Sequence, residues 1–379
     1  MPPSLLDKLE WEILHCFRNQ CAMNEWENYL SHLKCLDCGG NLGVSAVSKV
    51  YKQYDHVNRE LVCPVCSRAY PIFRDIPVIF KDISRMEMLI DPKKYKEQLK
   101  SAKEKANKAK ETIGSELDSF KENLVGSLSW EILFWEKWKE TDYGFLEHDE
   151  RKIENFLQQS SEGKRSLLFL DTVFAYIGEI SKIRILNIGA GRDFLLEKVL
   201  QRGASVIEQD VVLESLLYLK KRGASFCICC DARHLPFEDD TFGGATCFET
   251  LHHIWPIEEP LSEIIRATSG TIAICEPNSL SLTKAGFALP GFMKKKLKQW
   301  YSPESSHSPY EKSVNPYRVK KIAESRQAEV IKLSFPSSSS ILCVNNYMRL
   351  LRLFHLGLTK IFPFLSSSFT IVIGKNRSG

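Results

Sequence analysis

The stretch ILNIGAGRDFL, residues 185–195, decides how the rest of the chain is interpreted, because an apolar run gives way there to two glycines. Glycine costs stability inside a helix or strand, so it usually indicates a sharp turn or a close approach between backbone and ligand. Gly189 and Gly191 flank Ala190, and an amphipathic segment follows. The pattern predicts a strand that ends at Gly189 and a helix that begins near Asp193.

Strand-length apolar runs alternate with helical segments around this turn. Strands are predicted at residues 183–188, 204–209, 225–230, 243–248 and 270–276, and helices at 193–202, 212–222 and 259–267. Such alternation is typical of a doubly wound, parallel α/β sheet. Ligands bind such sheets at the carboxyl ends of the strands, near the switch in strand order. The glycine turn is therefore a candidate binding site.

Two aspartates follow the next two strands. Asp210 ends ASVIEQD and lies 21 residues after Gly189, an offset at which an acid accepts hydrogen bonds from a ribose diol. An aspartate at a strand end is also a common helix cap, and Asp210 is placed to cap a helix from Val212. The third strand, SFCICC, ends at Asp231, which Ala232 follows.

Five successive segments resemble the motifs of class I S-adenosylmethionine-dependent methyltransferases: LNIGAGRDFL, IEQD, CDARHLPFEDDTF, CFETLHHI and GTIAICEPNS. The resemblance covers about residues 183–278. It implies a Rossmann-like sheet of seven strands with an antiparallel last hairpin, for which SFTIVIGK is the natural final strand. It also implies that S-adenosylmethionine is bound by Gly189, Ala190, Gly191, Asp210, Asp231, Ala232, Phe248 and Glu249.

The chain departs from that family at three positions. The family usually has an acid where Asn187 stands and a third glycine where Asp193 stands, and it often has an aspartate where Gly243 stands. A carboxylate at Asp193 would alter how the methionine tail is held. We still expect cofactor binding, because the other motifs are intact.

Candidate catalytic residues follow the fourth strand. His252 and His253 have a suitable side chain for general base work at the start of an acceptor pocket. The same pair is also a common structural pattern in the family. Glu276 ends the fifth strand and is a second candidate, although a hydrogen-bonded structural role suits it better.

Two C-x-x-C pairs precede the α/β region. Cys35, Cys38, Cys63 and Cys66 have the spacing of a closed, tetrahedral structural zinc site with four thiolates. The alternative is a set of buried free thiols. The segment LVCPVCSRAYPIFRDIPVIF resembles the small zinc-ribbon activators of tRNA and protein methyltransferases, over about residues 33–81. This implies a ribbon that stabilises the methyltransferase region in cis or helps it to recognise substrate.

Five further cysteines fall on the predicted strands and are interpreted as small buried hydrophobes: Cys227, Cys229, Cys230, Cys247 and Cys275.

Length and composition set the remaining expectations. The 379 residues suggest two domains, or one large domain with a small appendage. We expect an N-terminal helix at 1–32, the ribbon at 33–81, a helical linker and cap at 82–180, and a methyltransferase domain at 181–379 with insertions at about 279–365. A net charge of +4 is too small to indicate nucleic-acid binding by itself. No secretory leader and no transmembrane run is apparent, so we expect a cytoplasmic protein.

Three functions remain open at this point. ETLHH, residues 249–253, lacks an Asn-Pro-Pro-Tyr-type motif, which favours a small-molecule acceptor, a hydroxyl of a specialised metabolite or of a glycan or lipid intermediate, over nucleic acid. The second possibility is a tRNA or protein methyltransferase with a built-in ribbon activator, whose lysine-rich segments 93–110 and 294–298 would bind a phosphate backbone. The third is a non-methylating cyclase or scaffold on the same fold. No oligomeric state follows from the sequence.

Overall fold

The computed structural model describes residues 29–45, 49–111, 161–179, 182–191, 199, 202–281, 313–336, 353 and 357–375. These residues form eleven strands: β1 Gly43–Ser45, β2 Val57–Val62, β3 Ala69–Phe73, β4 Ile76–Ile79, β5 Arg184–Ile188, β6 Ser205–Asp210, β7 Phe226–Cys230, β8 Phe242–Phe248, β9 Thr268–Pro277, β10 Ala328–Ser334 and β11 Ser368–Lys375. The helices are α1 Ile83–Ile90, α2 Pro92–Glu111, α3 Ser161–Tyr176, α4 Leu213–Lys221, α5 Glu258–Ala267 and α6 Pro316–Ser325.

Seven of these strands form the sheet expected from the glycine turn. Their order is β7-β6-β5-β8-β9-β11-β10. The first five pair in parallel, and β11 lies antiparallel between β9 and β10. SFTIVIGK is β11, so the antiparallel last hairpin is confirmed, as is the doubly wound class. The order reverses at β5, which places the glycine turn at the switch point.

The N-terminal strands extend this sheet. β1, β2, β3 and β4 form an antiparallel meander, and β4 pairs in parallel with the edge strand β7. The pairing joins Val78 to Cys229 and Ile79 to Cys230. A second contact joins the N-terminal region to the loop that follows β7, where Lys34 N donates to Pro236 O at 2.9 Å. The N-terminal meander and the α/β region therefore share one sheet, and β4 covers the edge of β7 that would otherwise be unpaired.

The core lies on both faces of the sheet. β7 (FCICC) is buried along its whole length, because β4 and β6 flank it and both faces of a parallel sheet are covered. The five cysteines on β7, β8 and β9 are all buried and free, which agrees with their interpretation as small hydrophobes. Helix α5 buries Leu261, Ile264 and Ile265, which lie at helical spacing, against the sheet.

The predicted strands coincide with β5 to β9 to within a few residues at each end. The predicted helices at 212–222 and 259–267 are α4 and α5. The helix at 193–202 and the N-terminal helix lie mostly outside the described residues, as do residues 112–160 of the expected linker and cap. The expected domain boundaries stay a prediction. Where the structure describes helices, none has the length and apolar character needed to cross a membrane.

Candidate functional site

The glycine turn follows β5 and adopts the conformation that its composition predicts. Gly189 has φ +67° and Gly191 has φ +52°, values that side chains with a Cβ adopt only at a cost. A Cβ at Gly189 would overlap the Thr250 side chain and would lie 2.7 Å from Thr250 Cβ. Thr250 thus packs against the turn, and only glycine fits there.

The end of β6 holds the same turn. Gly191 N donates to Asp210 Oδ2 at 2.8 Å, and Ala190 N donates to the carbonyl of Gln209 at 2.9 Å. Val212 N donates to Asp210 Oδ1 at 2.8 Å, so Asp210 also fixes the backbone that leads into α4. The side chain is buried, and this burial raises the pKa of its carboxyl although the backbone donors oppose the shift.

Asp231 stands at the end of β7 and is bound by two arginines. Arg233 donates to both of its oxygens, from Nε to Oδ1 at 3.0 Å and from Nη2 to Oδ2 at 2.6 Å. Arg85 Nη1 lies 3.3 Å from Oδ2. Burial favours the neutral acid, but the hydrogen bonds and charge of Arg233 outweigh it and lower the pKa of Asp231. The carboxylate is therefore ionised.

The remaining predicted cofactor residues follow β7 and β8. Ala232 is buried beside Asp231. The Phe248 ring packs on Phe169 of α3, with centroids 5.2 Å apart. Glu249 has φ +49°, and its carboxylate lies 2.9 Å from Arg165 Nη1 of α3. All eight predicted residues thus lie at the carboxyl ends of β5, β6, β7 and β8, on one edge of the sheet.

Glu276 organises the segment that carries the two histidines. Its Oε1 accepts from Thr250 N at 2.8 Å and from Leu251 N at 2.6 Å. His252 Nδ1 lies 2.8 Å from its Oε2. Glu276 is fully buried, and burial raises its pKa to about 8 in spite of these donors. This geometry agrees with the structural role expected for Glu276.

The two histidines differ in accessibility. His252 is buried against Glu276, whereas His253 is half-buried. Their ring centroids are 4.1 Å apart. Glu276 thus fixes the ring of His252, and the catalytic assignment of either histidine stays a prediction.

Two of the three departures from the methyltransferase motifs have local explanations. Asn187 Nδ2 donates to the buried Glu208 at 2.8 Å, and Thr246 Oγ1 donates to Asn187 Oδ1 at 2.9 Å. An acid at 187 would face Glu208 across the sheet, so Asn187 avoids two adjacent buried carboxylates. At Gly243 a Cβ would lie 2.7 Å from Ile183 Cβ, which excludes a side chain. Asp193 lies outside the described residues.

The four predicted metal ligands converge. The Sγ atoms of Cys35, Cys38, Cys63 and Cys66 all lie within 4.8 Å of one another. Two of the pairs are 3.6 Å and 3.4 Å apart, close to the ~3.8 Å that tetrahedral Zn–S bonds of about 2.3 Å require. The donor set therefore fits a structural zinc ion.

Two cysteine knuckles present these thiols: residues 35–40 form the first and residues 63–68 the second. They have matching turns, because Gly39 N donates to Cys35 O and Ser67 N donates to Cys63 O, each at 2.9 Å. Gly39 and Ser67 both have positive φ.

Sequence reasoning missed Arg85 and Arg165. Each lies in a helix outside the recognised motifs and contacts its acid across a long stretch of chain, 146 positions in the case of Arg85. No local pattern marks such contacts. Only the pairing of β4 with β7 and the packing of α3 on the sheet bring them to the site.

Two segments of the chain match known protein families. Residues 186–272 match the family model described as a methyltransferase domain, and residues 30–75 match the one described as a Trm112p-like protein. One chain thus carries a segment similar to a methyltransferase domain and a separate segment similar to a Trm112p-like protein. Both resemblances predicted from the sequence are confirmed.

One curated relative is a demethylmenaquinone methyltransferase from Thermobifida fusca (strain YX), 31% identical over 145 residues. The match covers 36% of this chain, and the chain spans 59% of the relative's length.

Solved structures with low overall similarity include a SAM-dependent methyltransferase from Archaeoglobus fulgidus (23% identity, 62% of this chain and 100% of that one, TM-score 0.39). Another is the Haloferax volcanii complex of the Trm112 methyltransferase activator with a methyltransferase described as putative (12% identity, 62% and 97%, TM-score 0.41).

Proposed function

We propose that the protein is an S-adenosylmethionine-dependent methyltransferase that acts on a small molecule. The observation that carries the proposal is the glycine turn at the switch point, flanked by Asp210 and Asp231 on the next two strand ends. Gly189 to Gly191 would face the methionine part of the cofactor. Asp210 would accept from the ribose hydroxyls and Asp231 from the adenine amine, with Ala232 beside the ring. Phe248 and Glu249 would line the sulfonium end.

Asp210 keeps acceptor capacity for its proposed role. An ionised carboxylate offers about four lone-pair sites. Asp210 uses two of them for Gly191 N and Val212 N, which leaves acceptor positions for a diol. The bound cofactor supplies a methyl group already activated by the sulfonium, so the protein mainly orients the acceptor and removes its proton.

The acceptor we propose is a hydroxyl of a specialised metabolite or of a glycan or lipid intermediate. The segment that follows β8 is Glu249-Thr250-Leu251-His252-His253, anchored by Glu276. His253, the more exposed histidine, would take the hydroxyl proton, and His252 would hold its ring in place through their 4.1 Å contact. The Thermobifida fusca relative is named for demethylmenaquinone, not for tRNA or protein.

A tRNA or protein methyltransferase with an activator in cis is the second candidate. The Trm112p-like match and the pairing of β4 with β7 favour it, because the N-terminal region completes an edge of the catalytic sheet. The first part of helix α2 exposes Lys93, Lys94, Lys96 and Lys100. We further propose that the four thiols hold one structural Zn²⁺, which leaves no open position for metal catalysis.

The distinguishing experiment measures S-adenosylhomocysteine formed from S-adenosylmethionine. The zinc-loaded protein is incubated with a panel of hydroxylated small molecules and, separately, with unmodified tRNA and with protein extracts. Turnover with small molecules that is lost in His253→Gln supports the first proposal. Turnover only with tRNA or protein supports the second candidate. Cofactor binding without turnover on any panel favours the non-methylating alternative.

A further inference from the structure

Arg85 belongs to the helix that leaves the N-terminal meander. β4 ends at Ile79, and α1 begins at Ile83 after an Asp82 cap that accepts from Ser84 N at 2.9 Å. Because β4 runs parallel to β7, both strands end at the same edge of the sheet. Arg85, in the first turn of α1, therefore lies beside Asp231, which follows β7.

The contact is a partly buried ion pair. Arg85 Nη1 lies 3.3 Å from Asp231 Oδ2, with side-chain exposures of 32% and 11%. Arg233 takes both oxygens of the same carboxylate from within its own loop. Arg85 reaches it from α1, the helix that follows the N-terminal meander. Two cations on one carboxylate fix its orientation more tightly than one does, because each donor restricts rotation of the carboxylate.

Arg68 links the same helix to the thiol cluster. Its carbonyl accepts from Cys63 N at 2.8 Å in the second cysteine knuckle. Its Nη2 donates to the carbonyls of Phe80 at 3.2 Å and Lys81 at 2.7 Å, between β4 and α1. Its Nε lies 3.7 Å from Asp37 Oδ2 in the first cysteine knuckle. Arg68, through its carbonyl and its side chain, thus joins both knuckles to the backbone that leads into α1.

We propose that Arg85 is a positioning residue for the adenosine end of the cofactor site and that, through Arg68 and Arg85, occupation of the four-thiol cluster raises cofactor affinity. The inference rests on the proposed function, since it takes Asp231 as the acceptor of the adenine amine. The physical path consists of contacts already present. The cysteine knuckles contact Arg68, Arg68 binds the backbone of residues 80–81, and α1, which follows, contacts Asp231 through Arg85. Metal and cofactor would then stabilise the same arrangement of this path, and by linkage each would raise the other's affinity by the same factor.

The test is calorimetric titration of zinc-loaded protein with S-adenosylhomocysteine, followed by competitive Zn²⁺ chelation with and without that ligand. We expect Arg85→Gln to weaken S-adenosylhomocysteine binding about fivefold, at the low end of couplings between sites. In the wild type the ligand should raise apparent Zn²⁺ affinity by a similar factor, and this factor should approach one in Arg85→Gln. Arg85→Lys, which keeps the charge, should recover part of both effects.

The matched control is Arg59→Gln, which removes an arginine of the same region that pairs with the exposed Asp75. It should leave the affinity for S-adenosylhomocysteine and the coupling factor between ligand and Zn²⁺ unchanged. Arg68→Gln should reduce the coupling factor without touching Asp231, so it tests the path if Arg85→Gln folds poorly. Equal ligand affinity in wild type and Arg85→Gln, or an undiminished coupling factor in both arginine variants, overturns this inference alone. Failure of the wild type to bind S-adenosylhomocysteine overturns it together with the proposed function.

Discussion

Gly189→Ala should destabilise the protein far more than the addition of one methyl group suggests. Gly189 has φ +67°, where a residue with a Cβ costs about 1–2 kcal/mol. The new Cβ would also lie 2.7 Å from Thr250 Cβ. Rotation of the Thr250 side chain moves its hydroxyl and methyl but not its Cβ, so the backbone must shift. Overpacking of this kind costs about 1–3 kcal/mol. The expected loss in the free energy of unfolding is therefore about 2–5 kcal/mol.

Gly191→Ala is the matched control for this substitution. Gly191 also has positive φ, but its nearest contact for a Cβ is 3.8 Å away, so only the conformational cost of about 1–2 kcal/mol applies. Denaturant unfolding followed by far-ultraviolet circular dichroism gives both values. A second comparison uses Thr250→Gly, in which Gly189→Ala should cost no more than Gly191→Ala. Equal costs for the two alanines in the wild-type background, or no relief in Thr250→Gly, would refute the packing argument.

Three further predictions concern other parts of the molecule. Gly243→Ala should lower the free energy of unfolding by about 1–3 kcal/mol through overpacking. Gly43→Ala should be nearly neutral in the same assay, because its Cβ would lie 3.8 Å from the nearest atom, Val62 O. Similar values for the two variants would contradict the packing explanation. The raised pKa of Glu276 means that the folded protein keeps a proton that the unfolded chain loses, so stability is present at low pH and declines as pH rises from about 4.5 to about 8. The slope of this contribution is up to about 1.4 kcal/mol per pH unit and should be absent in Glu276→Gln, so parallel pH profiles would exclude it. Cys63→Ser should lose the roughly one zinc per chain found by elemental analysis while Cys275→Ala keeps it, and a zinc-free, folded wild type would contradict the metal assignment.

The sheet could be predicted because its signals are local. Each of β5 to β9 is an apolar run bounded by turn residues, and Gly189 marks a turn against which the Thr250 side chain packs closely. The thiol cluster could also be predicted, since its four ligands fall in two short, matching motifs.

The pairing of β4 with β7 could not be predicted in the same way. Val78 and Cys229 are simply apolar strand residues, and nothing in either segment specifies the other as its partner. The contacts that depend on this pairing were hidden for the same reason, above all Arg85 on Asp231. The reason for a glycine at position 243 could not be predicted either, because Ile183, which directly precedes β5, fills the space that a side chain would need.

The most direct test of the central proposal is calorimetric titration of the folded, zinc-loaded protein with S-adenosylhomocysteine. We predict one site per chain with a dissociation constant of ~1–100 μM. Asp210→Asn should bind at least about tenfold more weakly, because it loses the charge that accepts from a diol and its one amide oxygen serves only one of the donors Gly191 N and Val212 N. Asp75→Asn, at an exposed acid of the N-terminal region, should bind like the wild type. Absence of binding to the wild type, or equal binding by Asp210→Asn, would contradict the proposed cofactor site.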